Sequence, residues 1–218
     1  MKVLLLAAGK GQRMQPDSLN TPKPLLFCGK HRLIEHHLYN LAKAGYREVF
    51  INLSYRSQDF YPILGNGSKY KLKIHYVFEP TGGYEAGGTI INSLSYFGKE
   101  QFLMISADIY TNLDLKPLQQ LRPKIAHLLL TQADSGLFNF KNNQITGPGN
   151  YNYASIGVFN PAAFIGWPKQ CKIKLKDILL THLKNNTTLD ASLLPENNIW
   201  HNITTHQQLK TVACTSAN

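Results

Sequence analysis

Two glycines and three basic residues lie between positions 9 and 23 of the chain: Gly9, Gly11, Lys10, Arg13 and Lys23. They follow an unbroken apolar run, which is typical of a buried strand that ends in a loop. Glycine lets backbone N–H groups approach phosphate oxygens, and the basic side chains add positive charge at the same place. The pattern therefore predicts a loop that binds a polyphosphate.

Two common glycine-rich loops do not fit this stretch. The dinucleotide-binding pattern requires a third glycine where Met14 stands, and an acidic residue at the end of the second strand, which here ends in residues 51–53, Ile-Asn-Leu. The P-loop pattern G-x-x-x-x-G-K-[ST] does not occur in the sequence. A nicotinamide cofactor is therefore not expected.

The overall charge favours anionic partners. The chain has 23 Lys and Arg residues against 13 Asp and Glu residues, which gives a formal net charge of +10 over 218 residues. Such a field attracts phosphorylated molecules. Because the basic residues are dispersed and no nucleic-acid-binding motif occurs, we expect small phosphorylated substrates and no nucleic acid.

Cysteine use and hydropathy indicate the cellular compartment. The three cysteines, Cys28, Cys171 and Cys214, are widely separated and contain no C-x-x-C pair, which argues against a disulfide framework or a zinc site. No run reaches the length of a membrane-spanning helix, and the N-terminal apolar stretch is too short for a signal peptide. We expect a cytoplasmic protein without a membrane partner.

Apolar periodicity predicts one α/β domain over residues 1–218, in which the pattern changes to shorter strands beyond residue 110. The first half alternates strands with helices, which predicts parallel βαβ units. Residues 142–152 are rich in Gly, Pro and Asn and are predicted to form a mobile loop. The predicted strands are 48–53, 72–78, 102–107, 126–132, 136–141, 154–159 and 199–203, and the helices are 33–44, 57–64, 85–97, 175–184 and a closing helix to about 213.

The N-terminal motif resembles that of a known family. Residues 4–16 read LLLAAGKGQRMQP and residues 21–25 read TPKPL, a composite pattern similar to that of the sugar-1-phosphate nucleotidyltransferases. The resemblance implies a Rossmann-like three-layer α/β/α fold with a mostly parallel sheet. It also implies a nucleotide-binding half (1–110) and a sugar-phosphate-binding half (111–218). It also implies a reaction between a nucleoside triphosphate and a sugar 1-phosphate, in which Arg13 and Lys23 are catalytic. Residues of the loop would bind the nucleotide, namely Ala7, Ala8, Gly9 and Gly11.

Asp108 follows the predicted buried strand 102–107, at the edge of the sheet where ligands bind in open α/β folds. A carboxylate there can hold a Mg²⁺ ion that bridges nucleotide phosphates. The family carries a metal-binding aspartate at this place. Its second metal-binding aspartate aligns with Asn202, whose amide oxygen can ligate Mg²⁺ but brings no charge. We expect Mg²⁺, with Mn²⁺ as the alternative, and activity reduced by Asn202.

Residues 79–89 read EPTGGYEAGGT and resemble the family segment that lines the base and phosphate site. The resemblance implies that Glu85, Gly87 and Gly88 bind the nucleotide, because a helix that starts there would expose N–H groups at its positive end. The two glycines could equally serve close packing between helix and sheet. The sequence leaves both interpretations open.

The length and residues 33–38, LIEHHL, resemble the short bacterial branch of the family. That branch implies UTP and N-acetylmuramate 1-phosphate as substrates, in cell-wall (peptidoglycan) recycling. The resemblance implies that Ser155 and Lys174 contact the acceptor. Besides Asn202, the chain departs from the branch at Ser155, where the family has glycine, and at Leu137, where it has aspartate.

Two alternatives to this function stay open. One is a catalytically weakened relative that binds a nucleotide or nucleotide sugar as a sensor. The other is a guanylyl- or cytidylyltransferase that acts on mannose 1-phosphate or phosphocholine. The sequence gives neither the base, the acceptor nor the oligomeric state.

Overall fold

The structure, a computed structural model, describes residues 1–215. The helices are α1 (Asp17–Asn20), α2 (Leu33–Lys43), α3 (Phe60–Leu64), α4 (Glu85–Phe97), α5 (Leu175–Lys184) and α6 (His206–Thr215). The strands are β1 (Lys2–Leu6), β2 (Phe27–Cys28), β3 (His31–Arg32), β4 (Glu48–Leu53), β5 (Lys73–Phe78), β6 (Phe102–Ser106), β7 (Ile109–Thr111), β8 (Ala126–Lys141), β9 (Gln144–Phe159), β10 (Leu189–Leu193) and β11 (Trp200–Asn202).

The main sheet has the strand order β10-β8-β9-β6-β1-β4-β5. Strands β4 and β5 pair in parallel, as do β10 and β8, whereas β9 runs antiparallel to both β6 and β8. Two-stranded pairs, β2 with β3 and β7 with β11, accompany it in the described chain. The predicted fold class, a mostly parallel α/β sheet with helices, is confirmed.

Several elements have the bounds that periodicity predicts. Strand β4 and helices α4 and α5 begin and end at the predicted residues, and β6 is one residue shorter than predicted. The closing helix begins as expected, because Thr205 Oγ1 accepts a hydrogen bond from the Gln208 N–H (3.3 Å).

The predicted mobile loop at residues 142–152 is wrong. Strands β8 and β9, 16 residues each, form one long hairpin, and Asn142 and Asn143 alone make its turn. Both asparagines have positive φ angles, 51° and 61°. A two-residue turn of this kind matches the twist of the flanking strands, and asparagine tolerates its backbone conformation. The pair Asn-Asn was therefore a hairpin signal rather than a loop signal.

The chain forms two compact units. The first contains Met1–Leu4, Tyr84–Ile105 and Pro117–Asn197; the second contains Leu5–Gly83, Ser106–Lys116 and Asn198–Asn218. The predicted single domain with halves that meet at residue 110 stays a prediction. In the second unit, the C-terminal segment joins the N-terminal one through a shared apolar cluster: Met14, Cys28, Leu33, Tyr110, Ile203, Leu209 and Val212. This packing holds β11 and α6 against the segments that carry the predicted site.

Within residues 1–215, none of the helices is long and apolar enough to cross a membrane.

Candidate functional site

The loop after β1 is built around Gly11. Its φ angle is +62°, and the Met14 N–H and the Ser18 Oγ–H both donate to its carbonyl oxygen, each at 2.8 Å. A Cβ atom on Gly11 would lie 2.9 Å from the Cβ of Lys23. Gly11 is therefore required both by its left-handed backbone and by the close packing of Lys23.

Lys23 occupies a short 3₁₀ turn between two prolines and is only 7% exposed. Its Nζ donates a hydrogen bond to Asp108 Oδ2 at 3.0 Å and forms an ion pair with it. Burial lowers the pKa of Lys23, the Asp108 charge opposes that effect, and the Arg13 charge lowers the pKa further. The structure thus brings together Lys23 and Asp108, and it places the Arg13 charge close enough to act on Lys23.

Asp108 is held by its own strand end. The Ser106 Oγ–H donates to Asp108 Oδ1 at 2.7 Å, so each carboxylate oxygen accepts one hydrogen bond from a side chain. The Ala107 N–H donates to the Leu6 carbonyl at 2.8 Å, which ties this strand end to the residue just before the glycine loop. The carboxylate therefore has a fixed direction relative to the loop.

Helix α2 supports the segment that follows Asp108. The buried His37 bonds through Nε2 to the Ile109 carbonyl at 2.7 Å, and Asn40 Nδ2 donates to the Leu113 carbonyl at 2.8 Å. Just beyond the helix, the Tyr46 hydroxyl donates to the Leu115 carbonyl at 3.1 Å. Because a neutral imidazole has one N–H, the bond to Ile109 makes Nε2 the protonated nitrogen. These contacts fix three carbonyls of one segment to one helix and its C-terminal turn.

Burial lowers the pKa of His37 from 6.5 to about 4. In the unfolded chain the same imidazole accepts a proton near pH 6.5, so acid favours the unfolded chain. The stabilisation from neutral His37 is complete above pH 6.5 and is lost as the pH falls towards 4. His37→Gln keeps a donor for the Ile109 carbonyl but removes the titrating imidazole. Between about pH 7 and pH 4.5, we expect the free energy of unfolding of the wild type to fall by about 2–3 kcal/mol more than that of His37→Gln.

Denaturant unfolding at the two pH values measures this loss for His37→Gln and for the wild type. The control is His201→Gln, which changes an exposed histidine of the same unit and is measured at the same two pH values. Equal pH dependence in His37→Gln and the wild type would contradict the assignment of His37 as a buried neutral imidazole.

The two predicted metal-binding residues are neighbours. Strand β11 pairs antiparallel with β7, with Asn202 opposite Ile109, and the Ile203 N–H donates to the Asp108 carbonyl at 2.9 Å. Asn202 is exposed. Among the described residues, no three His, Cys, Asp or Glu side chains cluster closely enough to hold a metal ion. The pairing thus brings the backbone of Asn202 next to the segment that carries Asp108.

The glycines at the start of α4 have a structural explanation within the first unit. A Cβ on Gly87 would lie 2.8 Å from the Ile173 carbonyl oxygen, and one on Gly88 would lie 2.2 Å from that of Cys171. The Gly88 N–H donates to the Ile173 carbonyl at 3.0 Å. These distances support the packing interpretation. The nucleotide-binding role of Glu85, Gly87 and Gly88 stays a prediction.

Ser155 and Lys174 also belong to the first unit. Ser155 lies within β9, where the register against β8 shifts between Leu128 and Leu130, and its φ angle is +62°. A serine at a position that favours glycine agrees with the departure from the family pattern noted above. Lys174 is exposed and immediately precedes α5. The roles of both residues in acceptor binding stay predictions.

Ser106, His37 and Asn52 also contribute to this site, although the sequence did not indicate them. Asn52 is buried in β4, and its Oδ1 accepts a hydrogen bond from the Ala7 N–H at 2.8 Å. A polar residue that interrupts the apolar run of a buried strand was the available signal for Asn52. Ser106 had a weaker signal, as a hydroxyl two residues before a predicted metal ligand.

Comparison with known proteins identifies the class. The Nucleotidyl transferase family matches residues 2–132, which is more than half of the chain. The chain belongs to this family, and it is a member of the sugar-1-phosphate nucleotidyltransferases, as its N-terminal motif predicts.

Individual relatives agree with this assignment. The chain is 32% identical to N-acetylmuramate alpha-1-phosphate uridylyltransferase of Neisseria meningitidis serogroup B, over 85% of this chain and 87% of that protein. It is also 32% identical to mannose-1-phosphate guanylyltransferase of Mycobacterium tuberculosis, over 53% of this chain and 32% of that protein. The inositol-1-phosphate CTP transferase of T. maritima has the same fold, with a TM-score of 0.82 at 15% identity, over 99% of this chain and 95% of that one.

Proposed function

We propose that this protein transfers the uridylyl group of UTP to N-acetylmuramate 1-phosphate and releases pyrophosphate. The name and the 87% coverage of the Neisseria relative support this choice of substrates. Such a reaction belongs to peptidoglycan recycling and consumes a nucleoside triphosphate, so we assign it to the cytoplasm.

The structural observation that carries the proposal is the surface of the glycine loop at Gly9. Apart from Gly9 and its two chain neighbours, no atom of residues 1–215 would lie within 4 Å of a Cβ on Gly9, and the φ angle of Gly9 is not in the left-handed region. The described protein therefore gives no reason for glycine at this position. A ligand that approaches the backbone closely gives one, and a triphosphate fits the N–H groups and the positive charges of this loop.

The chemistry follows from charge. A phosphate oxygen of the sugar 1-phosphate forms a bond to the α-phosphorus of UTP, and the bond from that phosphorus to the bridging oxygen breaks as pyrophosphate leaves. Two anions must meet while the transferred group gains negative charge. In this proposal Lys23 and Arg13 stabilise that charge, and the loop N–H groups orient the triphosphate. The reaction requires no protein nucleophile.

Asp108 and Asn202 would hold Mg²⁺, with Mn²⁺ as the alternative. The oxygen donors of a carboxylate and an amide suit this ion, which proteins commonly bind through one or two carboxylates plus substrate phosphates. Each Asp108 oxygen accepts one side-chain hydrogen bond, which leaves lone pairs for coordination. The bound ion would neutralise phosphate charge.

A grid of substrates tests the proposal. Pyrophosphate release is measured for UTP, GTP, CTP and dTTP against the 1-phosphates of N-acetylmuramate, N-acetylglucosamine, glucose and mannose, and against phosphocholine, with Mg²⁺ and with Mn²⁺. We expect the highest kcat/KM for UTP with N-acetylmuramate 1-phosphate. A best pair of GTP with mannose 1-phosphate, or of CTP with phosphocholine, would replace the proposed substrates.

Gly9 and Gly11 are expected to respond differently to alanine. Gly9→Ala places a methyl group in open space, so we expect a melting temperature within about 2 °C of the wild type. Because the methyl group would meet the phosphates, the KM for the nucleotide is expected to rise by about tenfold. Gly11→Ala is the control: its left-handed backbone and the contact with Lys23 are expected to destabilise the fold by about 1–2 kcal/mol. Unchanged nucleotide binding by Gly9→Ala would contradict the proposed phosphate site.

Asn202 favours a second candidate, a catalytically weak protein that binds a nucleotide as a sensor. An amide gives a weaker site for a divalent cation than a carboxylate does. We expect Asn202→Asp to lower the Mg²⁺ concentration for half-maximal turnover by about tenfold, because it adds one charge beside Asp108. A titration of turnover against Mg²⁺ measures the change. Asn198→Asp, in the same C-terminal segment, is the control. No gain in turnover at any Mg²⁺ concentration would favour the sensor.

A further inference from the structure

The side chain of Asn52 replaces a backbone partner where β1 ends. The N–H of Ala7, the first residue of the glycine loop, is buried and donates to Asn52 Oδ1 at 2.8 Å. Buried backbone N–H groups are almost always paired, and the sheet can no longer pair this one as the chain leaves β1. Asn52 is 2% exposed and lies in β4, the next strand of the sheet. Its amide therefore spans the gap where the loop diverges from the sheet.

The other end of the same amide reaches a third segment. Asn52 Nδ2 donates to Glu79 Oε1 at 3.2 Å, and the Glu79 N–H donates to the Leu53 carbonyl at 2.8 Å. A Cβ on Gly83 would lie 3.1 Å from Glu79 Oε2, so the carboxylate lies against the turn that Gly83 closes with its N–H to the Pro80 carbonyl. Asn52 thus connects the start of the glycine loop with the turn after β5, and all these residues belong to the second unit.

We propose that Asn52 is a positioning residue for the triphosphate, and that the bonds from Ala7 to Asn52 and from Asn52 to Glu79 hold the glycine loop in its nucleotide-binding form. The inference rests on the proposed function for the role of the loop. Both bonds require an amide, because one end must accept from an N–H and the other must donate to a carboxylate. An aspartate at position 52 would keep an acceptor for Ala7 but would face the Glu79 carboxylate at hydrogen-bonding distance.

Swapping the amide of Asn52 and the carboxylate of Glu79 distinguishes a positioning role from simple packing. In Asn52→Asp the two carboxylates repel each other, and the KM for the nucleotide is expected to rise by about tenfold or more, with a smaller change in the KM for the acceptor. Glu79→Gln is the reference for the double variant: its Oε1 still accepts from Asn52, so we expect the bond from Ala7 to Asn52 to persist. In the double variant, the new aspartate accepts from the Ala7 N–H and from the new glutamine amide, which restores both bonds.

The double variant is therefore expected to return to within about threefold of Glu79→Gln. Hydrogen exchange of the Ala7 amide in the full chain gives a readout that does not depend on turnover. Exchange is expected to be slow in the wild type, in Glu79→Gln and in the double variant, and faster in Asn52→Asp.

Three results would overturn the positioning role. One is that Asn52→Asp raises the KM for the nucleotide equally in the wild-type background and in the Glu79→Gln background. Another is a loss of thermal stability in Asn52→Asp with an unchanged KM for the nucleotide. The third is abolished activity in Glu79→Gln with nucleotide binding retained, because Glu79 would then contact the reacting groups. If the wild type turns over no substrate pair, the proposed function fails, and calorimetric binding of UTP and Ala7 exchange still decide the role of Asn52.

Discussion

Replacing Lys23 with alanine is expected to lower kcat for nucleotidyl transfer by about 10³-fold. The Lys23 ammonium is buried and fixed by Asp108 at 3.0 Å, so it is already in place when negative charge develops on the transferred phosphoryl group. A preorganised charge in a partly dehydrated site stabilises a transition state more than a mobile one in water does. Pyrophosphate release on the best substrate pair, with kcat and KM determined separately, measures the effect.

Lys30→Ala is the matched control for Lys23. Lys30 is exposed in the turn between β2 and β3 of the same unit, and its replacement is expected to leave kcat within about twofold of the wild type. The Lys23→Ala variant also leaves Asp108 without its cation, so its folding is checked by thermal denaturation. A folded Lys23→Ala enzyme that loses less than about tenfold in kcat would contradict the catalytic role of Lys23.

Replacing Asp108 with asparagine is expected to lower kcat/KM by about 10²–10³-fold at ordinary Mg²⁺ concentration. The amide keeps the shape of the side chain but removes its charge, and with it the proposed ligand for the cation. The same change removes the charge that opposes the fall in the pKa of Lys23, so that pKa is expected to fall further. Both effects weaken the charge facing the triphosphate.

A Mg²⁺ titration of pyrophosphate release distinguishes the two effects of Asp108→Asn. A large excess of Mg²⁺ is expected to recover only part of the lost activity, because the changed environment of Lys23 persists. Asp114→Asn is the control: Asp114 is exposed, and an asparagine there still accepts the hydrogen bond from the Lys116 N–H. Wild-type activity of Asp108→Asn at low Mg²⁺ would contradict the proposed metal-binding role of Asp108.

The parts of the fold that depend on local periodicity could be predicted from the sequence. Helix α4 has apolar residues on one side, strand β4 has a nearly continuous apolar run, and both have the predicted bounds. Strand β10 was missed because it is short and half polar, and it is formed through a parallel pairing with β8 about 60 residues earlier in the chain. The turn at Asn142 and Asn143 was missed because Gly, Pro and Asn also predict irregular structure.

The candidate site also contains residues that could be predicted from the sequence and residues that could not. Lys23 and Asp108 could be placed near each other from the motif and from the rule that ligands bind at the carboxyl ends of parallel strands. Their partners could not, because the hydrogen bonds of Ser106, His37 and Asn52 depend on which backbone groups the folded chain leaves unpaired. Asn202 was found as a departure from a pattern, and its effect on activity stays a prediction.

The proposed function requires direct transfer of the nucleotidyl group to a sugar phosphate at the glycine loop. A single-turnover experiment tests this most directly, with enzyme in excess over UTP and with pyrophosphate and nucleotide sugar followed together. We expect both products to appear at the same rate and in equal amounts, and only when the sugar 1-phosphate is present. Pyrophosphate formed without the acceptor, or bound UTP that never reacts with any acceptor of the grid, would contradict direct transfer.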